Sequence, residues 1–456
     1  MVGSRLYMDF NLLSANAAFT NNYVFIERKD YTDLLLYGIS PSYFTSENEE
    51  RNFAVTRDNP DKYGYYGMRI TGPSAMIVDG YHAYGITTCF RANAAFHNLP
   101  IDMSNFLYEA IDYDVQHGVI YNHDERIQTG ILSWFEIGLT YAYNFQRYKW
   151  DSWTAGITIK PLLGYSGTYT NLDQLRYIVY NDTVATVYSA SFDYGYSMPM
   201  DYYDNSFPNK PFIRGFGLGA DIGVTYARTA KGHATLIYSR LCEQRYERYN
   251  FKLGISLLDF GYIKFTKNAI CSIYTETSTE WFRPTDTLPE SSPYEIEAKI
   301  AAYFKNNSGE YSTRNDFVMN TPPSFSVQFD HCVKDYLFVN TTVIWGFNLG
   351  RSYMKRQSVF SVTPRFETAR LECALPISVY EWNFSWPHVG LAVRYGNFFI
   401  GTDRISTIIG FRSITGFDIY AGLRLNLSNS FRMNFIKEFC GMRKFRNIEM
   451  FDYRNF

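Results

Sequence analysis

The sequence lacks the long apolar run that a membrane-spanning helix needs. No window comes close to the roughly eighteen consecutive apolar residues that such a helix requires, so a membrane helix is excluded. The start of the chain, from Met1 to Arg5, leads straight into strand-like sequence without a basic region and an apolar core. No signal peptide is therefore visible. For an exported protein we expect that the leader is missing and that the N-terminus is truncated.

Cysteine and histidine are scarce and carry no site motif. The six cysteines are scattered without a CxxC pair, so we expect neither a disulfide framework nor a metal knuckle. Among the seven histidines, His117 and His123 lie near Asp124, but their spacing fits no standard ligand pattern. Neither GxSxG nor a Walker A motif occurs. The sequence predicts a protein that is not an enzyme and that has no cofactor and no metal site.

The chain has no excess of either positive or negative charge, whereas aromatic residues are abundant. Lys+Arg 43 balances Asp+Glu 45, so there is no basic excess that would indicate a nucleic-acid partner. Tyr 40 and Phe 37 raise the aromatic fraction to 18%. Transmembrane barrels carry aromatic girdles at both membrane interfaces. An aromatic-rich soluble β protein has the same composition, so composition alone leaves both classes open.

The stretch from Phe216 to Tyr226 shows the pattern that recurs along the chain. Its even positions are apolar or aromatic, and its odd positions are glycine, aspartate or threonine. A period of two predicts a β-strand with one apolar face. Its length matches the roughly nine to eleven residues of a tilted transmembrane strand. Similar patterns occupy residues 131–143, 153–160, 251–257, 337–347, 360–366, 371–379, 389–395 and 417–427.

Strands of this length, joined alternately by short turns and long loops, favour a membrane barrel over a soluble sandwich, whose strands are usually shorter. We therefore predict an all-β fold: one closed antiparallel transmembrane barrel of about 14 strands over residues 1–428. Long loops with short helices at 99–111 and 294–304, a strand at 33–44 and a bend at Gly72–Pro73 complete the prediction. A mildly basic tail, residues 429–456, follows.

Several stretches carry a family resemblance. They are RITGPSAM at 69–76, HAYGITTCFRA at 82–92, LGISLLDFGYIKF at 253–265, TPRFETARLECALPISVYEW at 363–382, and GLAVRYGNFFIGTDRI and GFDIYAGLRLNL near the end. In this order they resemble an uncharacterised family of Bacteroidota outer-membrane proteins, the domain of unknown function 5723. The resemblance implies a single barrel in the style of fatty-acid-transporter-like barrels, with an export signal upstream. The family has no established activity to carry over.

Charged side chains fall opposite the apolar positions of the predicted strands, which places them in the lumen. They are Arg69, Arg91, Glu136, Asp221, Lys252, Arg365, Glu367, Arg370, Glu372, Arg394 and Arg424. Because a charge in a narrow lumen is costly unless paired, salt bridges that stiffen the barrel are one interpretation. A selectivity lining for a solute is the other. Asp221 lies on an otherwise bare glycine face, and we expect it to pair with a luminal arginine or lysine, or with a plugging segment.

Two functions follow as expectations. The first is a structural or scaffolding barrel of the bacterial outer membrane, in contact with outer-membrane lipid. It would bind an envelope protein through the long excursions 169–210 and 274–321 or through the basic tail, since long tyrosine-rich loops suit binding. The alternative is a barrel channel or transporter that passes a small or hydrophobic solute. The sequence leaves open whether the lumen is plugged.

Overall fold

Strands make up most of the chain in the computed structural model. It describes residues 7–26, 53–56, 61–79, 81–109, 114–148, 151–208, 210–229, 249–282, 292–304, 309–334, 336–348, 354–368, 371–408 and 413–426. The strands are β1 Tyr7–Asn21, β2 Val24–Ile26, β3 Phe53–Val55, β4 Asp61–Thr71, β5 Ser74–Asp79, β6 His82–Pro100, β7 Ile120–His123, β8 Ile127–Tyr148, β9 Asp151–Val179, β10 Val184–Ser197, β11 Gly215–Thr229, β12 Tyr249–Phe265, β13 Ile270–Phe282, β14 Glu310–Arg314, β15 Phe317–Asn320, β16 Ser324–Lys334, β17 Leu337–Gly346, β18 Val359–Glu367, β19 Leu371–Ala374, β20 Ile377–Tyr380, β21 His388–Val389, β22 Leu391–Tyr395, β23 Phe398–Thr402 and β24 Gly416–Asn426.

Short helices lie between some of these strands. They are α1 Ile101–Glu109, α2 Pro293–Phe304, α3 Ile405–Ile408 and a 3-10 turn at Asp114–Gln116. The helices predicted at 99–111 and 294–304 are thus confirmed as α1 and α2. No helix among the described residues is long and apolar enough to cross a membrane.

Fourteen antiparallel strands close into a barrel, as the sequence predicted. In order around the wall they are β1, β4 with β5, β6, β8, β9, β11, β12, β15 with β16, β17, β18, β19 with β20, β21 with β22, β23 and β24. The barrel closes where β24 pairs with β1, from Asp9↔Asn426 to Thr20↔Gly416. The predicted bend at Gly72–Pro73 separates β4 from β5, and β1 pairs with both.

The two ends of the barrel differ in their connections. One end, here the short-turn end, carries the short connections 80–81, 149–150 and 396–397, and also the longer connection 230–248, which lies outside the described residues. The opposite end, the long-loop end, carries 22–60, 101–126 and 266–316. In bacterial outer-membrane barrels the short turns face the periplasm and the longer loops face outward. The predicted strand at 33–44 and the tail at 429–456 lie outside the described residues.

The outer wall is apolar, and the inner wall is polar from the level of Glu136 toward the short-turn end, the reverse of a soluble protein. On β8, Leu139 is 52% exposed whereas Glu136 is only 4% exposed. Exposed apolar residues alternate along the same strand from Ile131 to Phe145. This inversion is expected when the apolar face meets lipid and the polar face meets the lumen. The alternation predicted for Phe216 to Tyr226 is present too, with Leu218 and Ile222 exposed and Asp221 turned inward.

Aromatic rings form two belts on the outer wall. Near the short-turn end, the rings of His82 and Tyr143 lie 5.0 Å apart and those of Trp153 and Tyr226 lie 4.9 Å apart. Nearer the long-loop end, the Phe90 and Phe135 rings lie 4.7 Å apart. Aliphatic side chains fill the wall between the belts, for example Ile137, Leu139, Ile157 and Ile159. Such girdles mark the two interfaces of a membrane.

Further strands of the same sheet extend the wall beyond the long-loop end. The first half of β9 pairs with β11, and its second half, from Gly167 to Val179, pairs with β10. β10 continues to β13, and β13 to β14. Helix α2 covers these strands through Phe304, whose ring contacts Tyr274. The region 112–127 contains β7, whose Tyr121 pairs with Tyr177 on the extended β9.

Candidate functional site

A β-bulge in β12 turns a carboxylate into the lumen. Ile222 pairs with Leu257 and Ala220 with Phe260, so Leu258 and Asp259 together face Asp221. Asp259 has a φ of 57°, a value that the extra residue of a bulge can adopt. Before the bulge the odd positions face lipid, as Ile255 does, and after it the even positions do, as Phe260 does. The bulge therefore places Asp259 inside.

Asp259 is the centre of a buried set of ion pairs. Arg91 donates two hydrogen bonds to it, of 2.6 and 3.0 Å. Lys160 donates to the same carboxylate at 2.8 Å, and Arg356 at 3.1 Å. Because three cations share this one carboxylate, its charge is fully compensated inside the barrel.

The ion pairs continue around the lumen. Lys160 Nζ also lies 2.6 Å from Asp221, and Arg91 lies 3.6 Å from Glu136. Glu136 in turn lies 4.0 Å from Arg69. We call this set the ion-pair layer: Arg69, Arg91, Glu136, Lys160, Asp221, Asp259 and Arg356. It crosses the lumen within the membrane-spanning part of the wall.

Apolar side chains fill the lumen on the long-loop side of the ion-pair layer. Trp134 bridges the two levels, since its indole N–H donates to Glu136 at 3.0 Å and the Arg91 guanidinium lies over its ring at 4.8 Å. We call this filling the hydrophobic layer: Tyr65, Ala95, Leu132, Trp134, Leu162, Tyr169, Ile263, Phe265, Ala269, Cys271, Phe317, Met319 and Met354. Together the two layers occupy the lumen at this level.

A segment of the connection between β17 and β18 enters both layers. This luminal segment, residues 354–358, places Met354 in the hydrophobic layer and Arg356 in the ion-pair layer. Met354 is only 1% exposed. Gly130 makes room for it, because a Cβ at that glycine would lie 2.8 Å from the Met354 sulfur. Beyond Arg356, the Ser358 N–H donates to Glu381 at 2.7 Å.

Small polar side chains line the lumen between the ion-pair layer and the short-turn end. The Thr140 and Thr158 hydroxyls lie 2.8 Å apart across two strands. Gly138, Gly223 and Thr225 continue the same face. This part of the lumen, the vestibule, lacks the large apolar side chains that fill the hydrophobic layer, as far as the described residues show. Such a surface suits water.

A second chain of charges lies at the short-turn end. Arg365 lies 2.8 Å from Asp330 and 3.2 Å from Glu367. Arg394 lies 3.8 Å from Glu367 and 2.8 Å from Glu372. Four of the residues that the sequence assigned to the lumen thus meet in one alternating chain.

The other sequence-assigned charges are placed separately. Arg424 pairs with Asp9 at the closure of the barrel. The Lys252 ammonium lies 3.9 Å from the centre of the Tyr249 ring. Arg69, Arg91, Glu136 and Asp221 belong to the ion-pair layer. Arg370 lies outside the described residues. The assigned set therefore divides into two main groups at different levels.

Three members of the ion-pair layer were not singled out from the sequence. Lys160 lies on the predicted polar face of its strand, so the alternation could have assigned it to the lumen. Asp259 falls on the apolar face if strict alternation is assumed, and only the bulge reverses this. Arg356 belongs to a connection without periodicity. The centre of the site was therefore missed.

Asp221 has the basic partner that its position predicted, since Lys160 lies 2.6 Å away. It also accepts a hydrogen bond of 2.7 Å from the Asp259 N–H. The glycines beside Asp221 do not make room for a separate plugging segment. A Cβ at Gly217 would lie 1.8 Å from the Tyr262 carbonyl oxygen, so the neighbouring strand itself occupies that space.

A pocket opens on the long-loop side of the hydrophobic layer. This mouth pocket has a volume of about 390 Å³ and is lined by Asn22, Asp61, Lys62, Tyr63, Tyr65, His97, Asn98, Lys355, Glu381 and Asn383. Lys355 lies 3.2 Å from Glu381, which ties the luminal segment to the pocket wall. His97 lies beyond the aromatic belt at Phe90, outside the membrane-spanning part of β6. Burial, with Lys355 nearby, lowers the pKa of His97 to about 4.

The loop histidines do not gather into a site. His123 lies 2.7 Å from Asp102, and His117 lies 3.6 Å from Asp114. Tyr177 donates to the same Asp102 carboxylate at 2.9 Å, which links helix α1 to β9. The described residues contain no group of three or more metal-binding side chains.

The fold is that of an outer-membrane β-barrel, because the outer wall is apolar, aromatic belts flank it and the strands close on themselves. The chain belongs to a particular family of such proteins, the family of unknown function DUF5723, whose model matches residues 1–403. No curated protein matches the sequence.

Solved structures of other barrels are similar over most of the chain. A TodX monoaromatic hydrocarbon channel mutant (deltaS2) has a TM-score of 0.38 at 8% identity, covering 93% of this chain and 90% of that one. The toluene transporter TodX of P. putida has a TM-score of 0.35 at 8% identity, covering 92% and 87%. The ferric yersiniabactin receptor FyuA of Yersinia pestis reaches 0.24 at 10% identity, covering 86% and 48%. TM-scores this low carry no inference about function.

Proposed function

We propose that this barrel is an outer-membrane channel for a small polar solute and that the luminal segment holds it closed. The observation that carries the proposal is the position of residues 354–358. They come from a connection between strands and not from the wall, yet Met354 lies in the hydrophobic layer and Arg356 in the ion-pair layer. An element of this kind can move without breaking a barrel strand.

The charge balance of the ion-pair layer supports a luminal segment that can move out of the lumen. With Arg356 present the layer has four cations (Arg69, Arg91, Lys160 and Arg356) against three anions (Glu136, Asp221 and Asp259). Without Arg356 three cations face three anions. Asp259 keeps both hydrogen bonds from Arg91 and the contact with Lys160. Departure of the segment therefore leaves no unpaired charge in the wall, which would be costly.

The surfaces on either side of the two layers support the choice of a polar solute. On one side lies the mouth pocket with its amides and ion pair, and on the other the vestibule of threonine and glycine. A hydrophobic solute would meet little apolar surface in the vestibule. A small hydroxylated or amide-bearing solute would find hydrogen-bond partners at both levels.

Uptake into proteoliposomes tests the channel. Vesicles that contain the wild-type protein are expected to swell slowly in an isosmotic solution of a small sugar, and those with Arg356→Gln faster. Arg126→Gln is the matched control, because Arg126 is paired with Asp173 and neither residue belongs to the ion-pair layer or the hydrophobic layer. If neither Arg356→Gln nor Met354→Gly increases swelling above that of empty vesicles, the barrel is not this channel.

The second candidate is a scaffold that binds an envelope protein, and the long-loop end supports it. Tyr203 is 71% exposed there, and its ring lies 4.6 Å from that of Tyr294 on α2. Phe207 and Phe212 are exposed nearby. Exposed aromatic groups of this kind are frequent in protein interfaces. Purification in a mild detergent as a lone monomer would count against the scaffold. In both functions the protein is non-enzymatic.

A further inference from the structure

The mouth pocket has the size of a small-molecule site and an aromatic wall. Its volume of about 390 Å³ lies within the range of roughly 300–1,000 Å³ that is usual for such sites. The rings of Tyr63 and Tyr65 lie 5.7 Å apart and form one side. Tyr65 also belongs to the hydrophobic layer, so the pocket rests directly on the closed level of the lumen.

The lysines and Glu381 of the pocket already have partners, and its other carboxylate, Asp61, is exposed. Lys355 lies 3.2 Å from Glu381, and Glu381 also accepts the Ser358 N–H at 2.7 Å. Lys62 donates to the Thr56 carbonyl at 2.7 Å. Burial keeps His97 neutral near pH 7, since its pKa is lowered to about 4. A charged ligand group at Lys355, Glu381 or Lys62 would have to break one of these contacts, and an uncharged group would not.

The remaining polar groups call for a ligand with several hydroxyls. Asn98 presents an amide, which offers donors and an acceptor together, and Asn383, whose Oδ1 accepts from the Ser385 N–H at 3.3 Å, presents its amide donors. The Tyr65 hydroxyl is buried, in a residue that is only 7% exposed, and it interacts with the Glu381 carboxylate of the same pocket. A phenol that donates to a carboxylate can still accept a hydrogen bond, here from a ligand hydroxyl.

We infer that the mouth pocket binds an uncharged, hydroxyl-rich molecule the size of one or two sugar rings. The apolar face of a sugar ring packs on the rings of Tyr63 and Tyr65, and its hydroxyls meet the amides of Asn98 and Asn383. The Tyr65 hydroxyl, at the floor, accepts from the ligand. As the entry site of the proposed channel the pocket extends that function, but binding itself does not require the lumen to open.

Saturation-transfer NMR on the full chain tests the site. The protein is held in a detergent without a sugar headgroup, because maltoside detergents would compete. The probes are maltose, leucine as a zwitterion of similar polarity, and benzoate as an anion with an aromatic ring. We expect transfer to maltose and a millimolar affinity, with no saturable transfer to leucine or benzoate. Tyr65→Phe removes one oxygen and should weaken maltose binding about tenfold, the equivalent of one hydrogen bond.

Controls separate a lost site from a lost fold. Tyr203→Phe changes an exposed tyrosine away from the pocket and should leave maltose binding unchanged. Asn383→Ala, a second variant in the pocket, should weaken binding if Tyr65→Phe does not fold. The inference fails if wild type shows no saturable transfer to maltose. It also fails if both pocket variants bind maltose like wild type, or if leucine or benzoate binds more tightly. Maltose binding without vesicle swelling would contradict the channel proposal and support the binding site. Swelling without maltose binding would support the channel and contradict the binding site.

Discussion

Arg356 lies 3.1 Å from Asp259, and this contact joins a loop segment to the barrel wall. The two partners are not equivalent. Asp259 has two further cationic partners, Arg91 and Lys160, whereas Arg356 reaches this one carboxylate and the Ser324 hydroxyl at 3.3 Å. Substitutions at the two positions should therefore have different effects on stability.

Asp259→Asn should destabilise the folded barrel strongly. It leaves the charges of Arg91, Lys160 and Arg356 facing one another in the lumen, a change that typically costs about 3–5 kcal/mol. Arg356→Gln leaves Asp259 paired, and we expect a smaller loss of about 1.5–3 kcal/mol, that of one charge-assisted hydrogen bond. Equilibrium urea unfolding in lipid vesicles, followed by tryptophan fluorescence, measures both. Equal losses for the two variants would contradict the central position of Asp259.

Gly217→Ala should impair folding far more than Gly254→Ala. The new Cβ at Gly217 would lie 1.8 Å from the backbone oxygen of Tyr262, which cannot move without disturbing β12. At Gly254, on the neighbouring strand, the nearest atom is the Thr225 hydroxyl at 3.7 Å, an ordinary contact. The fraction of folded barrel on an unheated denaturing gel reports the difference. Similar folded fractions would show that β11 and β12 are not this closely packed.

Leu139→Arg and Thr140→Arg test the two faces of β8. Leu139 faces lipid between the aromatic belts, where an arginine costs about 2–4 kcal/mol near the midplane. Thr140 faces the vestibule, where an arginine stays hydrated. We expect Leu139→Arg to lower the free energy of unfolding in vesicles by this amount and Thr140→Arg to lower it by less. The opposite order would reverse the assignment of the faces.

The buried His97 should make the free energy of unfolding depend on pH. Its pKa is lowered to about 4 in the folded protein, against an ordinary value near 6.5. Between these two values the unfolded chain binds a proton that the folded chain does not, so stability falls as pH falls through this window. The loss approaches about 3 kcal/mol at pH 4. His97→Gln removes this titration and not the others. The difference in the free energy of unfolding between wild type and variant should therefore change between pH 6.5 and pH 4. A constant difference over that range would contradict the buried neutral histidine.

Alternation along the chain was sufficient to predict the wall. A lipid-facing position needs an apolar side chain whatever its neighbours are, so residues such as Leu218, Ile222 and Leu139 reveal the strand faces locally. The same rule assigned Arg91, Glu136 and Asp221 to the lumen. The helices α1 and α2 were predictable because their apolar residues follow a period of 3.6.

The closed level of the lumen could not be predicted in the same way. Asp259 faces inward only because a bulge inserts one residue, and a bulge leaves no mark in the alternation of a single strand. Met354 and Arg356 come from an aperiodic connection, and their contacts with Gly130 and Asp259 span long stretches of sequence. Such contacts depend on the closed barrel, which brings distant strands around one lumen.

Single-channel recording in planar bilayers tests the central claim most directly. The wild-type barrel should be closed for most of the time, with rare openings. Arg356→Gln removes one charge-assisted hydrogen bond, worth about 1.5–3 kcal/mol, so its open probability should rise at least tenfold, while Arg126→Gln should behave like wild type. An Arg356→Gln barrel with the same open probability as wild type, in a preparation shown to be folded, would contradict the proposal that residues 354–358 close this channel.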